Sequence, residues 1–261
     1  IHLDAPFLFL GPKGGAHRRQ IRRTFEKIMA LAAEKQYDLL LIAGDLFNDN
    51  HPSRDTQHFV ASKLRNLPLP VCILPGNHDP LQANSVYNKM EFPSNVHVLR
   101  EGPTFLELPE LNLTVAGNPI TSRYDNTSQL KGIVRNGSTR RFVARSHGNM
   151  QIPGPFESNS RPISPAEIAY TQADYVALGD WHAFADYSHG CVKAYYSGAP
   201  EPTTLAQEST GRVASITLSD EGVQVERMQV GGVNVQKLDL NITDLSQHEI
   251  ESAIQAKANL N

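Results

Sequence analysis

The pattern of apolar and polar positions divides the N-terminal part of the chain into alternating amphipathic and continuously apolar segments. Residues 18–35 carry apolar side chains at helical spacing, which predicts a helix with one buried face. Residues 37–43 and 71–74 are short apolar runs typical of buried strands, and residues 55–67 between them favour a second helix. Two consecutive helix-to-strand units predict an α/β layered fold.

From residue 96 onward the pattern changes to short extended runs separated by turn residues. The strands predicted there are 96–99, 104–108, 113–116, 141–145, 175–178, 192–196, 212–218 and 223–230. Helices are predicted at 165–171, where Ser164 and Glu167 form a capping-box pattern, and at 246–258. Residues 149–165 are rich in Pro, Ser, Asn and Gly, which predicts a surface loop.

The length and composition are those of an ordinary globular protein. At 261 residues the chain can bury one substantial core, so we expect a main domain over residues 1–238. Residues 239–261 have the pattern of an extension that begins a truncated accessory domain. There is no apolar run of bilayer length and no secretory-signal pattern, so we expect a cytoplasmic protein with no membrane partner.

Charge and cysteine content narrow the function classes only slightly. A formal net charge of −3 argues against a uniformly basic surface for nucleic-acid binding. A local basic stripe is still compatible with this net charge. Cys72 and Cys191 do not have metal-ligand spacing, so both are predicted to be free thiols.

Residues that can bind metals follow several of the apolar runs. In chain order they are His2, Asp45, Asn77, His78, Asp79, His147, Asp180 and His182. The carboxyl ends of strands hold loop residues rigidly, which favours ligand binding there. Hard oxygen ligands mixed with imidazole suit Mn²⁺, Fe²⁺ or Zn²⁺, and a carboxylate can bridge two such ions. The pattern therefore predicts a dinuclear metal centre.

The order of these motifs resembles that of the calcineurin-like metallophosphoesterases, which carry Asp-x-His, Gly-Asp, Gly-Asn-His-Asp or Glu, His and Gly-His-x-His. Here they stand as Ile1-His2, Gly44-Asp45, Gly76-Asn77-His78-Asp79, His147-Gly148 and Gly179-Asp180-Trp181-His182. The phrases that most resemble the SbcD-type branch of DNA-repair exonucleases are Ile1-His2-Leu3-Asp4, Gly44-Asp45-Leu46-Phe47, Tyr175-Val176-Ala177-Leu178-Gly179 and Tyr196-Ser197-Gly198-Ala199-Pro200-Glu201. The resemblance implies a four-layer fold, in which a two-sheet β-sandwich is flanked by helices and loops of both sheets form the site.

The resemblance also implies the ligand set of each metal. His2 and His182 are expected on one ion, Asn77 and His147 on the other, and Asp45 between them. Asp180 replaces the first histidine of Gly-His-x-His and so faces the second ion. A carboxylate there makes the site harder and shifts its preference away from Zn²⁺, so we expect Mn²⁺, with Fe²⁺, Mg²⁺ or Zn²⁺ as alternatives.

The same resemblance assigns the catalytic residues. His78 is expected to contact the scissile phosphate and to protonate or stabilise the leaving oxygen, with Asp79 orienting its ring. Two cations ~3.5–4 Å apart lower the pKa of a shared water and neutralise phosphate oxygens, and the resulting hydroxide attacks in line. Asn48 stands where related nucleases have a second catalytic histidine, and His51 is a candidate substitute. No substrate-binding residue is assigned.

Two further features have a functional and a structural interpretation. Arg18, Arg19, Arg22 and Arg23 could contact a phosphate backbone or form the solvated face of a helix. Trp181 and Tyr195 could stack on a base or pack in the core.

The resulting hypothesis is a metal-dependent phosphodiesterase that cleaves DNA as a repair exonuclease or endonuclease. The resemblance further implies a homodimer with a coiled-coil ATPase partner. One alternative is a phosphatase or a phosphodiesterase for cyclic nucleotides or other small molecules. The other is a non-catalytic scaffold with a degenerate site, motivated by Asp180, Asn48 and the absence of an Asp before Ile1. We expect that this Asp, and the strand leading to it, were trimmed from a longer chain.

Overall fold

The computed structural model describes residues 1–151, 160–207, 210–233, 235, 239–243 and 245–258. Its α-helices are α1 (Gly14–Glu34), α2 (Arg54–Arg65), α3 (Val86–Lys89), α4 (Pro165–Tyr170) and α5 (Gln247–Ala258). The strands up to the middle of the chain are β1 (Leu40–Ala43), β2 (Val71–Leu74), β3 (Val96–Val98), β4 (Thr104–Leu108), β5 (Leu113–Gly117) and β6 (Arg141–His147). The later strands are β7 (Asn149–Met150), β8 (Pro162–Ile163), β9 (Tyr175–Gly179), β10 (Ala185–Asp186), β11 (Lys193–Tyr196), β12 (Arg212–Ser219) and β13 (Gly222–Gln229). Short 3₁₀ helices cover Leu8–Lys13 and Pro109–Leu111.

Two sheets form the centre of the fold. Strands β1, β2 and β3 make a parallel sheet, and a six-stranded sheet has the order β10-β11-β9-β6-β5-β4 with parallel pairing through β5, β6, β9 and β11. Apolar side chains between the sheets include Val115, Val143 and Ala177 with Leu39 and Leu41. The predicted α/β class with two facing sheets is confirmed.

Helices cover the outer faces of both sheets. Ile21, Phe25 and Ile28 of α1 pack in one core with Ile42 and Ile73 of the three-stranded sheet. On the other side, Ile168 of α4 packs with residues of the six-stranded sheet such as Val176. The order helix, sheet, sheet, helix is the four-layer arrangement that the resemblance implied.

Most predicted elements form within one to three residues of their expected bounds, and the differences have local causes. The first strand begins at Leu40 rather than at 37, because the Tyr37 amide donates to the Ala32 carbonyl and so belongs to the end of α1. The Ser164–Glu167 capping box is present at α4. Both cysteines are free thiols, Cys72 buried and Cys191 exposed.

The predicted loop at 149–165 is partly wrong. Asn149 and Met150 pair in parallel with Pro162 and Ile163, while residues 152–159 lie outside the described part of the chain. Residues 236–238, at the predicted boundary between domain and extension, also lie outside it. No helix in the described ranges is both long enough and apolar enough to cross a bilayer.

The strand register brings the predicted ligand loops to one edge of the molecule. Ala43 of β1 lies beside Leu74 of β2, so the segments that continue with Asp45 and Asn77 leave the three-stranded sheet together. In the facing sheet, His147 of β6 lies beside Gly179 of β9, immediately before Asp180. Parallel pairing within each sheet therefore places side chains from both sheets in one cluster.

Candidate metal centre

Asp45 lies at the middle of the cluster, between histidines supplied by different parts of the chain. Its Oδ2 atom is 3.7 Å from His2 Nε2 and 3.3 Å from His147 Nε2. Two groups of potential ligand atoms, each within 4.8 Å, share Asp45: one adds His2 and His78, the other His147 and Asp180. One carboxylate thus belongs to two adjacent cation-binding groups.

In the first group, His2 lies on the N-terminal segment, which pairs with the segment that carries Asp45. The His2 amide donates to the Asp45 carbonyl at 3.0 Å, and Leu3 forms a β-bridge with Phe47. His2 Nε2 faces His182 Nε2 at 3.2 Å. Burial, the largest cause, lowers the pKa of both imidazoles, so both are neutral near pH 7, which is the charge state that a metal ligand needs.

The second group crowds acceptor atoms around one point. The Asn77 side-chain oxygen lies 2.8 Å from His147 Nε2 and 3.3 Å from carboxylate oxygens of Asp45 and Asp180. With the amide turned, its nitrogen could donate to these atoms. With the oxygen inward, either a proton on His147 Nε2 or a bound cation is needed to satisfy the three oxygens. Three oxygen donors and one imidazole suit a hard or borderline divalent metal. The residues present therefore fit a second metal position.

His147 is fixed in the tautomer that a metal ligand needs. Its Nδ1 donates to the Ala43 carbonyl at 2.8 Å, which leaves Nε2 facing Asp45 and Asp180. Burial alone would lower the pKa of this imidazole, but the two carboxylates raise it to about 10. The same partners act in reverse on Asp45, whose pKa burial would raise but His147 and His2 hold well below its usual range. The metal-free centre is thus a buried ion pair in which His147 carries the proton.

Two glycines allow the cluster to close. A Cβ on Gly44, which has φ +94°, would lie 2.0 Å from His147 Nδ1, and one on Gly179 would lie 1.7 Å from the Ala43 carbonyl oxygen. A side chain at Gly44 would therefore push β1 away from β6, and one at Gly179 would push β1 away from β9. This close approach gives a physical reason for the glycine before Asp45 and before Asp180.

The expected partner of the His78 ring is corrected by the structure. Asp79 is fully buried, and its carboxylate accepts from the amides of Gly76 and Phe47 and from the Tyr87 hydroxyl. The His78 ring instead donates from Nδ1 to the Asn48 carbonyl at 3.0 Å, and its own amide donates to Asp45 Oδ1 at 2.9 Å. Asp79 therefore shapes the loop that carries His78 without touching the ring.

The candidate substitute histidine is also placed elsewhere. The His51 ring is exposed, 3.9 Å from Asp49 Oδ1, rather than in the cluster. Asn48 contributes its main-chain carbonyl to the site, where it accepts from the His78 ring.

Four residues around the centre were missed by sequence reasoning. They are Asn149, Arg161, Thr203 and Gln207. Gln207 Nε2 and Thr203 Oγ1 contact His182 Nδ1, and Asn149 and Arg161 both donate to Asp180. Asn149 follows the His147-Gly148 motif directly, which was a usable signal, whereas the other three lie in loops without periodic pattern.

Comparisons with known proteins identify the family of the chain and several relatives. A family model described as calcineurin-like phosphoesterase matches residues 1–184. The chain is 25% identical over 259 residues to the uncharacterized metallophosphoesterase YhaO of Bacillus subtilis, covering 94% of this chain and 62% of that protein. It is 23% identical over 235 residues to the DNA double-strand break repair protein Mre11 of Methanosarcina mazei, covering 82% of this chain and 35% of that protein. It is 33% identical over 111 residues to the double-strand break repair protein mre-11 of Caenorhabditis elegans, covering 42% of this chain and 13% of that protein. The chain spans less than two thirds of the length of each of these relatives.

Proposed function

We propose that this chain, which belongs to the calcineurin-like phosphoesterase family, hydrolyses phosphodiesters at the centre around Asp45, with DNA as its substrate. The observation that carries the proposal is the sharing of Asp45 between two ligand groups that parallel strands of two sheets bring together. A single carboxylate in this position can bridge two ions.

Each side of the centre would hold one divalent cation. His2 and His182 face one position, and Asn77, His147 and Asp180 face the other, with Asp45 between them. Such a pair, when bound, lowers the pKa of a shared water and neutralises charge on the phosphate oxygens. The oxygen-rich second position favours Mn²⁺, Fe²⁺ or Mg²⁺ over Zn²⁺, and we take Mn²⁺ as the first candidate.

His78 is placed to handle the leaving group. Its ring packs edge-on against the His2 ring, with centroids 4.7 Å apart, and its Nδ1–H is held by the Asn48 carbonyl. The remaining nitrogen, Nε2, is therefore the ring atom available to face the leaving oxygen of a bound phosphodiester. The buried Asp79 carboxylate holds the loop that carries His78, because it accepts hydrogen bonds from the Gly76 and Phe47 amides and the Tyr87 hydroxyl.

The direction of substrate approach follows from the surroundings of the centre. A cavity of about 590 Å³ adjoins it between the sheets, but its walls are mainly apolar side chains such as Leu41, Tyr175 and Ile216, which do not suit a phosphate. Trp181, between Asp180 and His182 in sequence, also lines this cavity but is 53% exposed, so it marks the side on which the centre opens to solvent. The phosphodiester therefore approaches from solvent, past Trp181.

The choice of DNA rests on the names of the relatives, two of which are double-strand break repair proteins. By the same resemblance, we propose a homodimer with a coiled-coil ATPase partner. The net charge of −3 suits a smaller phosphoester equally well, so a small-molecule phosphodiesterase or a phosphatase is the competing function.

The deciding experiment gives the Mn²⁺-loaded protein single-stranded DNA and bis(p-nitrophenyl) phosphate in parallel. We expect cleavage of both, loss of both on chelation, and loss of both in Asp45→Asn. Cleavage of the aryl ester without DNA degradation at any salt concentration would overturn the DNA assignment. A protein that binds two Mn²⁺ ions and cleaves neither would favour a scaffold.

A further inference from the structure

The two carboxylate oxygens of Asp180 have different surroundings. Oδ2 accepts from Asn149 Nδ2 at 2.7 Å and from Arg161 Nη2 at 3.3 Å. Oδ1 lies on the side of the centre, 3.5 Å from His147 Nε2 and 3.3 Å from the Asn77 side-chain oxygen. Arg161 Nη2 also lies 3.5 Å from Oδ1, so it reaches both oxygens, whereas Asn149 bonds only to Oδ2. Oδ2 is thus the outer oxygen, and Oδ1 is the inner oxygen that faces the second metal position.

Arg161 is an unusual donor because it is almost completely buried, with 4% of its surface exposed. Its Nη1 donates to the Arg123 carbonyl at 3.2 Å, and its Nε finds no partner among the described residues. A buried guanidinium is costly unless it is paired with an anion, and Asp180 forms the ion pair in the described structure. The burial is explained if the positive charge acts on the centre through Asp180.

Local backbone structure holds both donors in place. Asn149 and Arg161 lie at the paired strands β7 and β8, where the Asn149 amide donates to the Arg161 carbonyl at 3.1 Å. Gly148 permits this approach, because a Cβ there would lie 2.3 Å from the Arg161 carbonyl oxygen. The chain therefore runs from the ligand His147 directly into the residue that binds the outer oxygen of another ligand.

We propose that Asn149 and Arg161 are positioning residues that clamp the Asp180 carboxylate, Asn149 through Oδ2 and Arg161 through both oxygens, so that Oδ1 is presented to the cation held by Asn77 and His147. The inference rests on the proposed metal centre and deepens it. Hydrogen-bond partners of metal ligands commonly change metal affinity by about 10–100-fold. The Arg161 charge also offsets the negative charge that a carboxylate adds where an imidazole would be neutral, which limits repulsion of a phosphodiester.

Calorimetric titration of the purified protein with Mn²⁺ tests the clamp directly, without an activity readout. We expect Asn149→Ala and Arg161→Gln each to weaken the second Mn²⁺ by about tenfold and to leave the first unchanged. Arg161→Lys, which keeps the positive charge, should lose less affinity for the second Mn²⁺ than Arg161→Gln does. Arg123→Gln is the matched control, since Arg123 is exposed and contacts Arg161 only through its main-chain carbonyl.

A double-mutant comparison separates the clamp from general damage to the fold. If Arg161 acts through Asp180, Arg161→Gln causes no further loss of Mn²⁺ affinity in an Asp180→Asn background. The clamp is overturned if Asn149→Ala and Arg161→Gln bind Mn²⁺ as the unmodified protein does. It is also overturned if Arg161→Gln lowers Mn²⁺ affinity by the same factor in the unmodified protein and in Asp180→Asn. An unmodified protein that binds no divalent cation would overturn the proposed function and the clamp together.

Discussion

The His147 imidazole donates its Nδ1 hydrogen to the main-chain carbonyl of Ala43 at 2.8 Å, across the gap between the two central sheets. The bond fixes the ring orientation and leaves Nε2 as the atom that faces Asp45, Asn77 and Asp180. One contact between two strands therefore determines both how the sheets meet and which nitrogen is available to a metal.

Metal binding should release a proton from His147. In the metal-free protein the pKa of this imidazole is about 10, so it is cationic near pH 7, whereas a metal ligand must be neutral. Apparent Mn²⁺ affinity should therefore rise with pH, by up to about tenfold per unit below pH 10. Calorimetry in buffers of different ionisation enthalpy counts the protons. Equal proton release by the unmodified protein and by His147→Asn would contradict this assignment.

Gly44→Ala should damage both stability and metal binding. The new Cβ would meet the His147 ring at 2.0 Å, and φ +94° is strained for any L side chain. Gly190→Ala is the matched control, because Gly190 also has positive φ (+61°) but has open space around it. Backbone strain alone costs about 1–3 kcal/mol. In denaturant unfolding, Gly44→Ala should therefore lose more free energy of unfolding than Gly190→Ala, and of the two variants only Gly44→Ala should weaken Mn²⁺ binding. Equal effects of the two substitutions would show that the contact with His147 is not tight.

Trp181→Ala should weaken binding of single-stranded DNA without affecting Mn²⁺ affinity. The side chain is 53% exposed beside two ligands, so the alternative that it packs in the core is wrong. Stacking of a base on an aromatic ring contributes about 1–3 kcal/mol, which corresponds to a loss of roughly fivefold or more in affinity. Fluorescence anisotropy with labelled DNA measures this, and Tyr170→Ala, at 64% exposure on α4, is the control. Unchanged DNA affinity in Trp181→Ala would remove Trp181 from the binding surface.

Glu201→Gln should destabilise the fold away from the metal centre. The buried Glu201 carboxylate accepts from Gln20 at 3.0 Å, Thr24 at 2.5 Å and the Gly232 amide at 2.7 Å, which joins α1 to the segment after β13. These three donors bond to Oε1, and the Val233 amide donates to Oε2 at 3.1 Å. In either orientation the glutamine nitrogen would therefore face at least one donor, at a cost of about 1–3 kcal/mol. Thermal unfolding should show a lower Tm than for the exposed control Glu226→Gln. Identical Tm values would mean that the junction contributes little.

The sequence was sufficient for the main strands because each is a continuous apolar run followed by a glycine or polar turn. Val71–Leu74, for example, was predicted with its observed bounds. The pairing of β7 with β8 could not be predicted, since two-residue strands have no periodicity. It is formed by the Asn149 and Gln151 amides, which donate to the Arg161 and Ile163 carbonyls. Tertiary contacts of this kind have no signal along the chain.

The same distinction applies to the site. The order of motifs identified the six candidate ligands, because glycine, carboxylate and histidine occur at strand ends where a rigid sheet can hold them. It misassigned the partner of the His78 ring, since that partner is a main-chain carbonyl, which every residue has. The Arg161 clamp was missed because an arginine in a Pro- and Ser-rich segment ordinarily indicates solvent exposure rather than 4% exposure beside a carboxylate.

The most direct test of the central claim is the Mn²⁺ content of the protein, measured by elemental analysis after equilibrium dialysis and by electron paramagnetic resonance. We expect two Mn²⁺ ions per chain with the spectrum of a coupled pair, and loss of both the coupling and phosphodiester hydrolysis in Asp45→Asn. One uncoupled Mn²⁺ per chain, or a coupled pair that persists in Asp45→Asn, would contradict a dinuclear centre built around Asp45.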